Sequence, residues 1–136
     1  MTVCLPALRA VLVAGAALCA VAASQAQTDA TNGDWTASFS DAEGRPRQAT
    51  LKLDGATGTW RLYAFAARGG SKTNPCVAID MPVAVRAGAD DEVLVDIDGN
   101  KPVAGCPVFT LKLKRVDANT YDGSFPDSRA IHLVRQ

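Results

Sequence analysis

Histidine is almost missing. His132 is the only one in 136 residues, and cysteine is nearly as scarce, with four. Two of those four, Cys4 and Cys19, fall in the first 26 positions, so the rest of the chain holds Cys76 and Cys106 alone. Two thiols and one imidazole do not make the four-ligand set of a structural zinc site, and their spacing is not that of a Cys-x-x-Cys redox pair. No metal or cofactor is expected, and no catalytic residue is assigned: a lone histidine without a nucleophile motif gives no relay. Gly69-Gly70 stands without a phosphate-loop pattern around it. Net charge is zero, which gives no electrostatic basis for binding nucleic acid or an anionic membrane.

One long apolar run is present, and it lies at the start. "MTVCLPALR" carries a single positive charge at Arg9, and 14 apolar residues follow from Ala10 to Ala23. Ser24 and Ala26 then place small residues three places and one place before a cut. This is the layout of a secretory signal peptide, and the run is short of the roughly 20 residues that span a bilayer. Leu18 precedes Cys19 where a lipoprotein cut site wants a small residue. Residues 1–26 are therefore read as the signal and 27–136 as one exported domain, periplasmic or secreted, with no later membrane span. About 110 residues suffice for one core. The domain has thirteen basic and fourteen acidic side chains, so its charge is near −1.

In an exported chain, two remaining cysteines read as a disulfide, Cys76–Cys106. In the chain-entropy picture such a loop contributes about 3.5–4 kcal/mol, large beside a domain stability of about 5–15 kcal/mol.

The dominant pattern is alternation with period two. Eight stretches carry it: 34–40, 48–54, 57–66, 76–86, 92–98, 107–116, the short and ambiguous 120–125, and 129–135. Their apolar positions include Trp35, Phe39, Leu51, Trp60, Val77, Ile79, Met81, Val95, Leu111 and Leu133. Asp54-Gly55 and 117–119 ("DAN") supply turn chemistry between them. Short links favour an antiparallel meander. The expectation is an all-β fold: eight strands closing into a small barrel, the alternative being a β-sandwich. Pro82 within a strand marks a bulge or a locally open edge. The inward positions are almost all apolar, which predicts a filled lumen or at most an apolar pocket.

A meander sorts its loops by end. Loops 41–47, 67–75, 99–106 and 126–128 share one end, are mostly the longer ones and carry five of the thirteen basic residues. Long loops on a rigid scaffold are where binding usually sits. The candidate binding residues are Arg45, Arg47, Arg68, Lys72 and Lys101, on a rim shared with both cysteines. Alternate strands lie about 9.5 Å apart and a disulfide needs Cα atoms within about 6 Å, so these loops must lean together or the barrel must curve sharply. "DIDGN" (Asp96 to Asn100) begins like a calcium loop, but Lys101 and Pro107 stand where its glycine and glutamate belong. His132 should face outward. Glu92 and Asp96 should pair with Lys112 and Lys114 across strands. Tyr63 and Phe65 should face outward beside Arg61.

"GDW" (Gly33 to Trp35) and "TGTW" (Thr57 to Trp60) resemble the first and third strands of the avidin and streptavidin family. The resemblance implies an exported eight-stranded meander barrel. The chain has only Trp35 and Trp60 where that family brings later tryptophans over its ligand, so no ligand residue is carried across. The "NPC…GCP" pair and the closing "YDGSFPDSRAIHLVRQ" look like those of small exported single-disulfide proteins of Gram-negative bacteria, which implies an envelope location. Two function classes follow. The first is a non-catalytic binding module whose basic rim engages a protein, glycan or anionic ligand. The second is a carrier of a small apolar ligand in the barrel, with a periplasmic protease-inhibitor-like role as a further alternative.

Overall fold

In a computed structural model, residues 30–64 and 74–136 are described. They form eight strands: β1 (Gly33–Ser40), β2 (Pro46–Asp54), β3 (Thr57–Leu62), β4 (Met81–Ala87), β5 (Val93–Asp98), β6 (Val108–Asp117), β7 (Thr120–Ser124) and β8 (Ala130–Arg135). Each strand pairs antiparallel with the next, and β8 pairs back onto β1, so the sheet closes into a barrel. The closing ladder sets Trp35 against Arg135 and Ala37 against Leu133. Closure leaves no free sheet edge, which answers the exposure problem of open sheets. Among the described residues no helix is long and apolar enough to cross a membrane. The proposed signal segment lies outside the described residues.

Alternation decides what fills the lumen. Trp35, Ala37, Ala49, Leu51, Val95, Leu111 and Leu133 are all at most 1% exposed. Burying each of the leucine and valine side chains is worth about 1.5–3 kcal/mol. Two glycines let neighbouring strands approach closely around this filling. A Cβ on Gly58 would stand 2.1 Å from the Lys52 carbonyl oxygen, and one on Gly123 would stand 2.1 Å from that of Lys112. Each glycine faces a leucine of the neighbouring strand, Leu53 and Leu113, whose side chain occupies the space a Cβ would need. Glycine at an inward strand position marks this kind of close approach.

Three expectations need correction. The fourth strand begins at Met81, not at position 76. Asn74 accepts the Cys76 N–H on its side chain and the Val77 N–H on its carbonyl, making a turn that Pro75, with no N–H, cannot oppose. Ala78 then adopts φ 60° and donates to the Leu62 carbonyl, so Val77 and Ile79 lie in a loop. The third strand ends at Leu62, not at 66. Asp96 does not face the lysines: its register partner on β6 is Thr110, whose hydroxyl donates to it at 2.6 Å, and Arg86 grips it from β4 at 2.7 and 3.2 Å. The doubtful stretch 120–125 is β7 plus its exit, and it sends Tyr121 and Phe125 inward. Pro82 sits opposite Thr59 on the shortest ladder, four pairs between β3 and β4.

Candidate functional site: an aromatic cup at the long-loop end

Strand direction places the ends of β1, β3, β5 and β7 with the starts of β4, β6 and β8 at one mouth of the barrel. Inward residues at these ends are large. Phe39 comes from β1, Trp60 and Leu62 from β3, Met81 from β4, Phe109 from β6, and Phe125 from the turn after β7. Four of their rings form a closed circuit. Phe39 and Phe125 have centroids 4.9 Å apart, Phe125 and Phe109 5.6 Å, Phe109 and Trp60 6.0 Å, and Trp60 and Phe39 6.0 Å. Tilted and edge-on pairs at such distances are favourable beyond their buried area. Trp60 and Phe125 are buried, while Phe39, Leu62 and Phe109 are half-buried. The rings thus make a floor over the filled lumen, and above it lies a cleft of about 420 Å3. That volume is within the range of small-molecule sites.

Local chemistry holds the wall of the cup in place. Cys76 and Cys106 are bonded with Cα atoms 5.5 Å apart, joining the loop before β4 to the loop before β6. The bond brings the two loops together across the mouth. Cys106 is 4% exposed and packs on the core, while Cys76 lines the cleft. The loop before β6 is tied internally: the Asp98 carboxylate accepts the Asn100 and Lys101 N–H groups, and the Asn100 amide oxygen accepts that of Gly105. "DIDGN" is therefore a turn whose carboxylate caps its own backbone. Among the described residues no cluster of three acidic, histidine or cysteine side chains is placed to hold a metal ion. Arg129 closes the far side. Its guanidinium lies 4.7 Å from the Phe125 ring, bonds Asp127 at 2.6 Å, and donates to the Ser40 carbonyl at 2.7 Å. The Arg129 hydrogen bonds hold the Asp127 carboxyl below its ordinary range.

The basic rim is only partly open to a ligand. Arg45 is paired with Asp41 at 2.8 Å and Glu43 at 2.9 Å, within its own loop. Arg47 lies 3.8 Å from Asp41 with its side chain 16% exposed. Lys101 is exposed on the tied loop. Arg68 and Lys72, with Phe65, lie outside the described residues. Alternation alone sends Phe39, Trp60, Leu62, Met81 and Phe109 inward, but only the closed topology brings them to one mouth. Phe125 ends the ambiguous stretch 120–125, where its spacing from Tyr121 and Gly123 is the available signal.

The other mouth is built differently. Trp35 and Tyr121 meet edge-on at 5.2 Å, Arg135 covers Trp35 at 4.2 Å, and the Trp35 indole donates to the Thr31 carbonyl at 2.8 Å. A cleft of about 500 Å3 there is lined by Asp90, Asp91, Lys114 and Arg115, charges of both signs. On the outer wall His132 is exposed, as its alternation implied, and its Nδ1 lies 2.5 Å from Asp122. Ser38 stands across from His132 on β1. Both partners of this His–Asp contact are more than half exposed, and we read it as a cross-strand pair on the wall.

No known protein-family description matches the chain, and no curated protein does. Among solved structures, a redesigned β-barrel is similar to it, with a TM-score of 0.55 and 18% identity over 83% of this chain and 96% of that one. That likeness supports the barrel fold and extends no further.

Proposed function

We propose that this chain is an exported, non-catalytic binding protein that takes a small apolar ligand, or the apolar end of a larger one, in the aromatic cup. The observation that carries the reading is the four-ring floor: half-buried rings and Leu62 face an open cleft above a lumen already full of side chains. Partly exposed aromatic surface gathered in a concave mouth is what an apolar ligand needs, and leaving it in water has a standing cost. The ligand therefore sits on the floor and does not enter the barrel. The signal-like start of the sequence and the Cys76–Cys106 bond support export, since disulfides persist in oxidising compartments. The paired state of Arg45 and the low exposure of Arg47 favour this reading over a charge-driven rim.

Titration with N-phenyl-1-naphthylamine, a neutral apolar fluorophore, tests it. Saturable one-to-one binding with quenching of Trp60 is expected; a Trp35→Phe background makes Trp60 the sole indole. Leu62→Arg, which puts a charged chain across the half-buried edge of the cup, should remove binding with the fold intact by circular dichroism. Absence of saturable binding, or equal binding by Leu62→Arg, rejects the proposal.

A further inference from the structure

A groove lies on the outside of the wall, away from the cup. Tyr63 follows β3 and is 47% exposed, in a groove of about 450 Å3 that crosses from β8 toward the start of β4. The residue types along it are specific. Thr50 and Lys52 come from β2, Thr59 and Arg61 from β3, Asp80 from the approach to β4, and Gln136 from the end of β8. Several are fixed before any ligand arrives. The Tyr63 hydroxyl is hydrogen-bonded to the hydroxyl of Thr50, which is buried. Arg61 is held by Asp80 at 2.8 Å, and the Gln136 amide donates to Thr36 at 2.9 Å.

We propose that this groove binds a β-1,4-linked oligosaccharide, with Tyr63 as the stacking platform. Three observations lead there. Among the described residues the groove has one aromatic face and otherwise charged, hydroxyl and amide groups, which suits a ligand that is apolar on its C–H faces and polar at its edges. The barrel is closed, so no strand edge is free to take an extended peptide by backbone pairing. The groove crosses several strand spacings of about 4.8 Å, enough for a short chain of flat pyranose rings rather than a single sugar. Lys52, Asp80 and Gln136 also line it and carry donors and acceptors that sugar hydroxyls can bond. Because Tyr63, Arg61 and Gln136 are already held by neighbours, little side-chain freedom is lost on binding.

Isothermal titration with cellotetraose and with chitotetraose tests the assignment. Saturable binding of at least one is expected, with a dissociation constant at or below about 1 mM. Tyr63→Ala should weaken it about tenfold or more, while Tyr63→Phe, which keeps the ring, should stay within about threefold. Thr59→Trp should block the groove without altering Tyr63, and unchanged melting would show that neither variant acts through the fold. Leu62→Arg should leave sugar binding untouched, so failure here and failure of the cup are separable. No heat from either sugar at about 5 mM, or equal affinity in Tyr63→Ala, overturns the assignment.

Discussion

Replacing Cys76 by serine and Cys106 by alanine together removes the bond that joins the loops before β4 and β6. The residues chosen match their surroundings: Cys76 is half-buried beside the cleft, and Cys106 is 4% exposed in the core. The cysteines are 30 positions apart. Freeing that loop in the unfolded chain costs about 3.5–4 kcal/mol of stability in the entropy model. A domain of this size loses about 4–5 °C of melting temperature per kcal/mol, so the transition should fall by about 15–20 °C. The same variant should weaken the cup, because Cys76 lines it. Calorimetry of the oxidised wild type, the wild type with reductant, and the double variant measures the first effect; naphthylamine titration measures the second. Reduction and mutation should give similar shifts. A fall of less than about 3 °C, or a normal cup affinity in the variant, would refute the idea that this bond organises the mouth.

Three further outcomes are expected. Gly123→Ala should destabilise by about 3 kcal/mol in urea unfolding, because its Cβ would meet the Lys112 carbonyl oxygen at 2.1 Å and backbone cannot yield cheaply. Asp91→Gly should stabilise by about 0.5–1 kcal/mol, since Asp90 and Asp91 hold φ 50° and 64° in a tight turn closed by the Glu92 N–H on Ala89. Stability should fall at both ends of the pH range. The Arg86 and then Thr110 hydrogen bonds lower the Asp96 carboxyl, so its contribution is present above about pH 4 and is lost as pH falls through the folded value; Asp96→Asn should flatten that acid limb. Burial raises the Tyr121 phenol, so its contribution holds below about pH 10 and is lost as pH rises beyond it.

Much of the wall was legible because the side-chain period of a strand is two and one face is buried. Trp35, Leu51, Val95, Leu111 and Leu133 announce themselves by alternation, and short turns between them force neighbouring strands to pair. The disulfide was legible for a different reason, the lack of any other partner for two thiols. What alternation cannot show is where a strand stops. Val77 and Ile79 keep the beat, yet the Asn74-Pro75 turn takes up the backbone donors and delays β4 to Met81. Pairing of charges failed similarly, since Asp96 could reach Lys112 or Arg86 and only the register, with Thr110 opposite, decides. The cup was hidden because its rings are far apart in sequence, from Phe39 to Phe125. The outer groove is half visible: alternation sends Tyr63 outward beside Arg61, but Asp80 and Gln136 join them only once β4 and β8 are in position.

The central claim is that ligand rests on an aromatic floor above a filled lumen. Methyl carbon–proton spectra recorded during naphthylamine titration test it most directly. Ring-current shifts should appear at the Leu62 and Met81 methyls lining the cup, while Leu51 and Leu111, buried in the lumen, stay in place. Shifts centred on Leu51 and Leu111, or none at Leu62 and Met81 under saturating probe, would contradict it.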